Sequence, residues 1–556
     1  MNTIVMWSTL YKKQKIWAVL ITCMLLLGSC QKQLDTNPLD KFSNDVFWNS
    51  ENDVLLALTG LYRGEIQMNS LAEFSPTDWW SYHGLLYLEF ASDNAYDRRG
   101  DNSAFNKLSD GTLTSSIDIL GNYWNLSYRR IARANFFLEN VDKAPLEEDK
   151  LNRFKAEARF IRACQYFYLS QYWGSVPLVT TTLTLEEANT VDKASKQAVV
   201  DFVLTELAEI SEQLPGYAAL PASERGRTNK QTALAFMGRL QLAERQFEDA
   251  VKTYETIISA NENIIDADYT SLFDGSNESS KEILFATQYL VDLAGNGMLQ
   301  HNYPRGAGGW HLHCPLGDLV EAYAFNDGTP FSYNSSRYDP QDLTKDRDPR
   351  LAYSILTNGD TFKGMEYITH PDMTLSEDQL TTTKQATRTG YGLRKFNDEN
   401  FSGNLQNSGI DVPIIRYAEV LLSYLEAKLE NGDAIDRALL DQTINAVRGR
   451  TSVDMPPIIE TNPTILREIL RNERRIELAF EGLRYWDLLR WDIAKDVLKG
   501  DFYGAPYPGA RNLRVKGNNP RDSHERWYVT SKNFRETTDR YWPIPQKEID
   551  INPKLK

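Results

Sequence analysis

A chain of 556 residues with 42% hydrophobic and 11% aromatic residues has enough apolar side chains for a sizeable core, and its composition carries no collagen-like, coiled-coil or disordered bias. Its 76 acidic residues outnumber the 61 basic ones; residues 1–29 carry three lysines and no acid, so the remainder has 58 basic against 76 acidic residues, a net −18. That balance argues against a phosphate-backbone binder, so no nucleic-acid partner is expected, and against an electrostatic anchor on anionic lipid; it suits a water-soluble body with a neutral ligand.

At the N-terminus, Lys12, Lys13 and Lys15 precede the 12-residue apolar stretch Ile16 to Leu27, the length of a signal-peptide core and too short to span a bilayer. Leu27-Gly28-Ser29-Cys30 follows and is similar to the bacterial lipobox, in which cleavage falls before a Cys that is then acylated. Residues 1–29 therefore read as a lipoprotein signal peptide, Cys30 as the lipid attachment, and that lipid as the contact with the membrane. Two or three acyl chains anchor stably, because each buried methylene adds about 0.8 kcal/mol. Past this region only Cys164 and Cys314 remain; Cys164 sits in a helical pattern and reads as a buried free thiol, with a Cys164–Cys314 bridge left open.

Residues 75–118 are irregular and aromatic-bearing. Over 151–173, Phe154, Ala158, Ile161, Gln165, Tyr168 and Tyr172 recur at spacings of three and four, which predicts a helix stopped by Gly174, with Pro177 beyond. Within 229–260, Gly238, Ala250 and Tyr254 lie 12 and 4 apart, the small–small–aromatic spacing of a tetratricopeptide-type hairpin. Such a repeat needs neighbours to bury its face, and hairpins near 120–173, 195–213 and 413–449 offer them. From about 262 to 412 Gly, Asn, Asp, Thr and Tyr dominate, with helical periodicity only near 315–324. Residues 413–430 return to a helical pattern ending at Asn431-Gly432, a partner helix is expected over 433–449, and 463–495 reads as a helix to about Phe480, then Glu481-Gly482, then a second amphipathic stretch through Trp491. The segment 500–535 is irregular again. The fold class expected is mainly α: a tetratricopeptide-like helical superstructure (body about 40–260 and 413–495) with long irregular loops forming a ligand face (about 75–118, 262–412 and 500–535), in a single domain over 30–556.

Catalytic signatures are missing from the sequence: there is no His-Glu-x-x-His motif, phosphate-binding Gly-Lys-Ser/Thr loop or Gly-x-Ser-x-Gly elbow. No enzyme activity, cofactor or metal is expected. His311, His313 and Cys314 stand close together in a Gly-rich loop, but no second cluster at metal-site spacing accompanies them. The charge-dense run Glu473 to Arg490 reads as a helix laced by pairs three and four apart, such as Arg471 and Arg475 with Glu477 and Glu481. A neutral sugar needs a flat aromatic platform for its C–H face and a few polar partners. The loop aromatics Trp79, Trp80, Tyr96, Tyr303 and Trp310 are candidates, with Tyr96 and Trp310 the better placed, since Gly306-Ala307-Gly308-Gly309 exposes the Trp310 ring. Asp93, Asp97, Arg98 and Arg305 are candidate partners for hydroxyls.

An ordered set of motifs along the chain resembles the SusD/RagB family of outer-membrane nutrient-binding lipoproteins. It runs from Leu34-Asp35 and Pro38 after Cys30, through Phe47-Trp48, Asp53, Ala57, Gly60 and Tyr62, to the stretch from Ala156 to Ala163 and Tyr172-Trp173-Gly174 with Val176-Pro177-Leu178. Thr228-Asn229-Lys230 follows, then Arg416 to Leu422, Glu426-Ala427, Ile444-Asn445, Val447-Arg448, Glu473-Arg474-Arg475, Phe480-Glu481-Gly482, Asp487-Leu488, Arg490-Trp491 and finally Trp542-Pro543-Ile544-Pro545 with Asn552-Pro553. The resemblance implies an α-rich, tetratricopeptide-like fold and a non-catalytic protein, lipid-anchored in the outer membrane and facing the cell exterior. It implies delivery of a glycan or other nutrient to a SusC-like TonB-dependent β-barrel transporter, and it puts the stretches around Tyr96 and Trp310 at the border of the ligand face. The alternatives are an interaction scaffold that docks the transporter without binding ligand, and a surface glycoside hydrolase.

Overall fold

The computed structural model describes residues 47–64 and 77–556; the expected signal peptide, Cys30 and the Leu34–Pro38 motif lie outside the described residues. Helix α1 spans Glu51–Arg63, and its N-cap Ser50 accepts a hydrogen bond from the Asp53 amide. The body then stacks α2 (Asp118–Asn140), α3 (Glu148–Tyr172), α4 (Lys196–Ser211), α5 (Lys230–Ala243), α6 (Phe247–Ser259), α7 (Tyr417–Asn431) and α8 (Pro463–Glu477), each packed on the next. The α5–α6 hairpin packs as its spacing predicts. A Cβ built on Gly238 would lie 2.5 Å from the Tyr254 ring, so glycine allows this approach without displacing the ring. Gly174 and Gly432 follow α3 and α7 with φ of 77° and 81°, the left-handed conformation that ends helices.

Two helical expectations are corrected. The partner helix over 433–449 is two short pieces, Arg437–Gln442 and Ile444–Arg448, broken at Thr443, which leaves helical geometry (φ −115°, ψ −99°) while its hydroxyl also donates to the Leu439 carbonyl at 2.6 Å. The helix expected to reach Phe480 stops at Glu477. Phe480 and Gly482 both have positive φ, and a Cβ on Gly482 would lie 2.3 Å from the Leu85 carbonyl oxygen, so the chain turns tightly over residues 81–91 before α9 (Arg484–Arg490).

The charge run also differs from the expectation. Most of its members are buried, and apart from the Asp487–Arg490 pair three apart they pair with residues distant along the chain. Glu473 binds Arg350 and Arg448, each at 2.5 Å; Glu477 binds Arg350, Arg416 and Arg450 at 3.0–3.1 Å; Glu481 binds Lys395 and Arg416, each at 2.7 Å. Buried carboxylates require opposite charges that are themselves buried, and Arg350, Lys395, Arg416, Arg448 and Arg450 supply them. The network ties the segments around 350 and 395 to α8.

The strands are few and short. Strands β2 (Ile283–Thr287) and β4 (Val412–Arg416) pair antiparallel, which closes the base of the long excursion between them. β1 (Ala95–Asp97) pairs with β3 (His313–Pro315), setting Tyr96 opposite Cys314, and β5 (Lys499–Pro506) pairs with β6 (Arg526–Asn533). Cys164 in α3 and Cys314 in β3 are both buried free thiols, so the bridge does not form.

Candidate functional site

The candidate face is organised by the segment 297–316. Backbone bonds from Trp310 to the Gln300 carbonyl (2.6 Å), His311 to Tyr303 (3.0 Å) and Leu312 to His301 (2.8 Å) fold it back on itself. Gly309 lets the two limbs meet, since a Cβ there would sit 2.1 Å from the Tyr303 carbonyl oxygen. Asp378 fastens the outer turn by accepting the amides of Arg305 (2.7 Å) and Gly306 (3.1 Å). Burial raises the Asp378 pKa, and its bonds to His311 and these amides more than reverse that, keeping it below the ordinary value. Trp310 is half-buried and lies on the His301 imidazole, with centroids 5.1 Å apart and planes at 25°. One indole face is thus supported, and the ring sits at the surface.

Beside this loop opens a cleft of about 460 Å³, within the size range of ligand sites. Its walls are Pro304, Gly306 and Ala307 on one side and the segment 362–378 on the other. Met365 (44% exposed), Met373 (50%) and Leu375 (97%) form an apolar rim. Sequence reasoning missed these residues. Their only signal was apolar side chains, without periodicity, in a polar stretch.

Five predicted site residues are not at this surface. Trp79 is 1% exposed, stacked on Tyr123 (4.1 Å) and Tyr168 (4.6 Å), with its indole N–H donated to Ser127. Trp80 is buried against Phe160 and Phe285 under the Arg130 guanidinium. Tyr303 is a buried residue of the 297–316 loop, its hydroxyl donated to the Asp398 carbonyl. Asp93 is buried and receives Arg484 through two bonds (2.8 and 2.9 Å) and Arg475 (2.9 Å); burial raises its pKa, and the two guanidinium groups reverse that and hold it well below the carboxylate range. Asp97 is fully buried and committed to Arg99 and Ser103. In each case a two-dimensional loop reading mistook a core contact for a surface one: these segments are irregular in backbone but packed on both sides.

Four predicted residues lie near the face. Trp310 is described above. Tyr96 is 9% exposed, its phenol pushed up to about 12 by burial and then by Asp101. Arg98 and Arg305 are half-buried, and Arg305 donates to the Gly309 carbonyl at 2.7 Å. His311 and His313 do not converge. His311 bonds the Tyr367 hydroxyl at 3.0 Å, whereas His313 packs on Tyr87 and Phe90, where burial lowers its pKa to about 3. Among the described residues no trio of His, Cys, Asp or Glu is placed to hold a metal, and no helix is long and apolar enough to cross a membrane.

Comparison with known proteins gives this geometry a family. Residues 274–556 match the model of the SusD family, and residues 80–242 match a SusD-like family described as starch-binding and associating with the outer membrane. A SusD-like carbohydrate-binding protein from Bacteroides fragilis, solved as a crystal structure, is 47% identical over 92% of this chain and all of its own, with a TM-score of 0.88. A SusD-like protein, P25, of Formosa agariphila is 25% identical over 97% of this chain and 98% of its own length. Surface glycan-binding protein A from Bacteroides thetaiotaomicron, solved with laminarihexaose, shares the fold at a TM-score of 0.65 and 19% identity over 91% of this chain and 99% of its own. On the matched residues, just over half the chain for the SusD family model alone, and the shared fold, this chain belongs to the SusD family.

Proposed function

We propose that the protein is a lipid-anchored glycan-binding protein of the outer cell surface that passes its ligand to a SusC-like TonB-dependent β-barrel transporter and performs no catalysis itself. The observation that carries the reading is the near full-length likeness to the Bacteroides fragilis protein described as carbohydrate-binding. The site chemistry supports it. A half-buried indole backed by an imidazole offers a rigid apolar face to sugar C–H groups, and the adjoining cleft supplies backbone and side-chain polar groups. Calorimetric titration with a panel of oligosaccharides, laminarihexaose included, is the test: saturable binding to at least one without release of shorter products is expected. Binding to none rejects the reading, and product release revives the hydrolase. Anchoring through Cys30 is tested by Cys30→Ala, which is expected to move the protein from the detergent phase to the aqueous phase; retention of the variant in detergent overturns the anchor. Transporter docking is tested by co-purification of a TonB-dependent barrel with the native protein.

A further inference from the structure

Resting on that glycan reading, we infer that the ligand carries an anionic substituent, a carboxylate or sulfate on a sugar, and that Arg98 is its receptor. The net charge of −15 points to a neutral ligand. At contact range, however, local charge decides, because salt screens charges more than about 8 Å away.

Arg98 follows β1, with its amide bonded to the Leu312 carbonyl at 3.0 Å. Its side chain is half-buried, and its Nε is buried without a hydrogen-bond partner. Among the described residues no carboxylate forms an ion pair with it; the neighbouring Asp97 is occupied by Arg99 and Ser103. The buried guanidinium groups of the body behave differently: Arg350, Arg416, Arg450 and Arg484 all bind carboxylates.

Other cations gather near Arg98 and bond only carbonyl oxygens. Arg388 donates from Nε to the Arg98 carbonyl (3.2 Å) and from Nη1 to Thr381 (2.8 Å) and Lys384 (3.1 Å). Arg305 donates to Gly309 (2.7 Å). Lys384 donates to the Thr374 and Ser376 carbonyls on the cleft wall (2.9 and 2.7 Å). Burial lowers the Arg98 pKa, Cys314 and Asp97 raise it, and the charges of Arg388 and Arg305 lower it further. Positive charge held partly out of water without a counter-ion is costly, and a bound oxyanion removes that cost. A guanidinium fork matches the paired oxygens of a carboxylate or sulfate. Arg305 and Leu312 belong to the same loop as Trp310, so the anion contact and the ring contact share one segment.

The test is calorimetry on the native protein with matched pairs: oligogalacturonate against its methyl ester, and a sulfated galactan oligosaccharide against its desulfated form. Binding of one acidic member at least tenfold tighter than its neutral counterpart is expected, and the pair that responds tells carboxylate from sulfate. Arg98→Gln is expected to cut that member's affinity about tenfold to a hundredfold, and so to abolish its preference over its neutral counterpart. Equal affinity within every pair, or binding of neutral members alone, overturns the inference and leaves glycan binding intact. Binding of no member, laminarihexaose included, rejects glycan binding and the inference together. An Arg98→Gln variant of wild-type melting temperature that keeps the acidic preference overturns the assignment of Arg98. Where Arg98→Gln lowers the melting temperature, Arg98→Lys keeps the charge and loses the fork; an unchanged preference in that variant overturns the assignment equally.

Discussion

The α5–α6 hairpin and the 297–316 loop solve the same problem by different means. In the hairpin, contacts come from residues a fixed number of positions apart, and Gly238 meets Tyr254 because helix geometry brings positions 16 apart together. In the loop nothing repeats. Its shape depends on Asp378, on the close pass of Gly309 over Tyr303, and on a buried ion network that fastens neighbouring segments to α8. The hairpin is held by apolar packing that tolerates pH and salt, whereas the loop region leans on charges that require their partners.

The first way to break this contrast is to remove a body residue that sequence reading had placed on the face. Trp79→Ala takes an indole out of a stack with Tyr123, Tyr168, Tyr172 and Trp542. It is expected to cost about 3–5 kcal/mol of stability and to leave oligosaccharide affinity unchanged. A melting curve and a titration check both; weakened binding at an unchanged melting temperature would return Trp79 to the site.

Glu477→Gln probes the charge network. It leaves Arg350, Arg416 and Arg450 short of a carboxylate and is expected to cost about 3–5 kcal/mol. The same network sets a pH dependence. Burial raises the pKa of Glu477, but Arg450, Arg416 and Arg350 more than reverse it, to about 2; Glu426 is likewise brought to about 2 by Arg490 against burial. Both folded values lie below the ordinary 4.5, so the unfolded chain takes up protons first. Their contribution is complete above pH 4.5 and is lost as pH falls toward 2. Thermal melts across that window should drop steeply for the native protein and less steeply for Glu477→Gln; parallel curves would remove Glu477 from the linkage.

Gly238→Leu tests the hairpin at lower cost. Forcing a side chain into the Tyr254 ring is expected to destabilise by about 1–3 kcal/mol, because the ring can shift where backbone could not. An unchanged melting temperature would show that the close approach carries no energy.

These differences explain what could be read from the sequence. Helices α3, α5, α6 and α7 were legible because apolar spacing and a terminal glycine are local signals. The breaks at Thr443 and Phe480 were not, since each depends on a contact or turn that periodicity does not report. The role of Glu473 to Glu481 was half legible: the charges were visible, but partners such as Arg350 and Lys395 lie far away in sequence. On the face, irregular backbone was read as exposed side chain, which placed Trp79, Trp80, Tyr303, Asp93 and Asp97 wrongly. A loop packed on both sides has the same local composition as one facing water, and only the tertiary contacts separate them.

Trp310 is the residue on which the contrast between body and face is sharpest, because it belongs partly to each. Its inner side rests on His301, which in turn bonds the Tyr87 hydroxyl at 2.6 Å, while its outer part reaches the surface. Trp310→Ala removes half a burial, so the stability lost should fall well short of the roughly 3–5 kcal/mol of a fully buried Trp. Its effect on ligand should be larger than its effect on the fold, about 2 kcal/mol or more if the ring is an anchor of the bound sugar. Trp79→Ala gives the opposite pattern, so the two variants measured side by side form their own control. Trp310→Phe refines the result: it keeps an aromatic face over His301 with less area, and affinity between that of wild type and alanine would identify stacking as the interaction. A variant that loses stability on the scale of Trp79→Ala while keeping full affinity would assign Trp310 to the body and move the ligand face to the Met365, Met373 and Leu375 rim of the cleft.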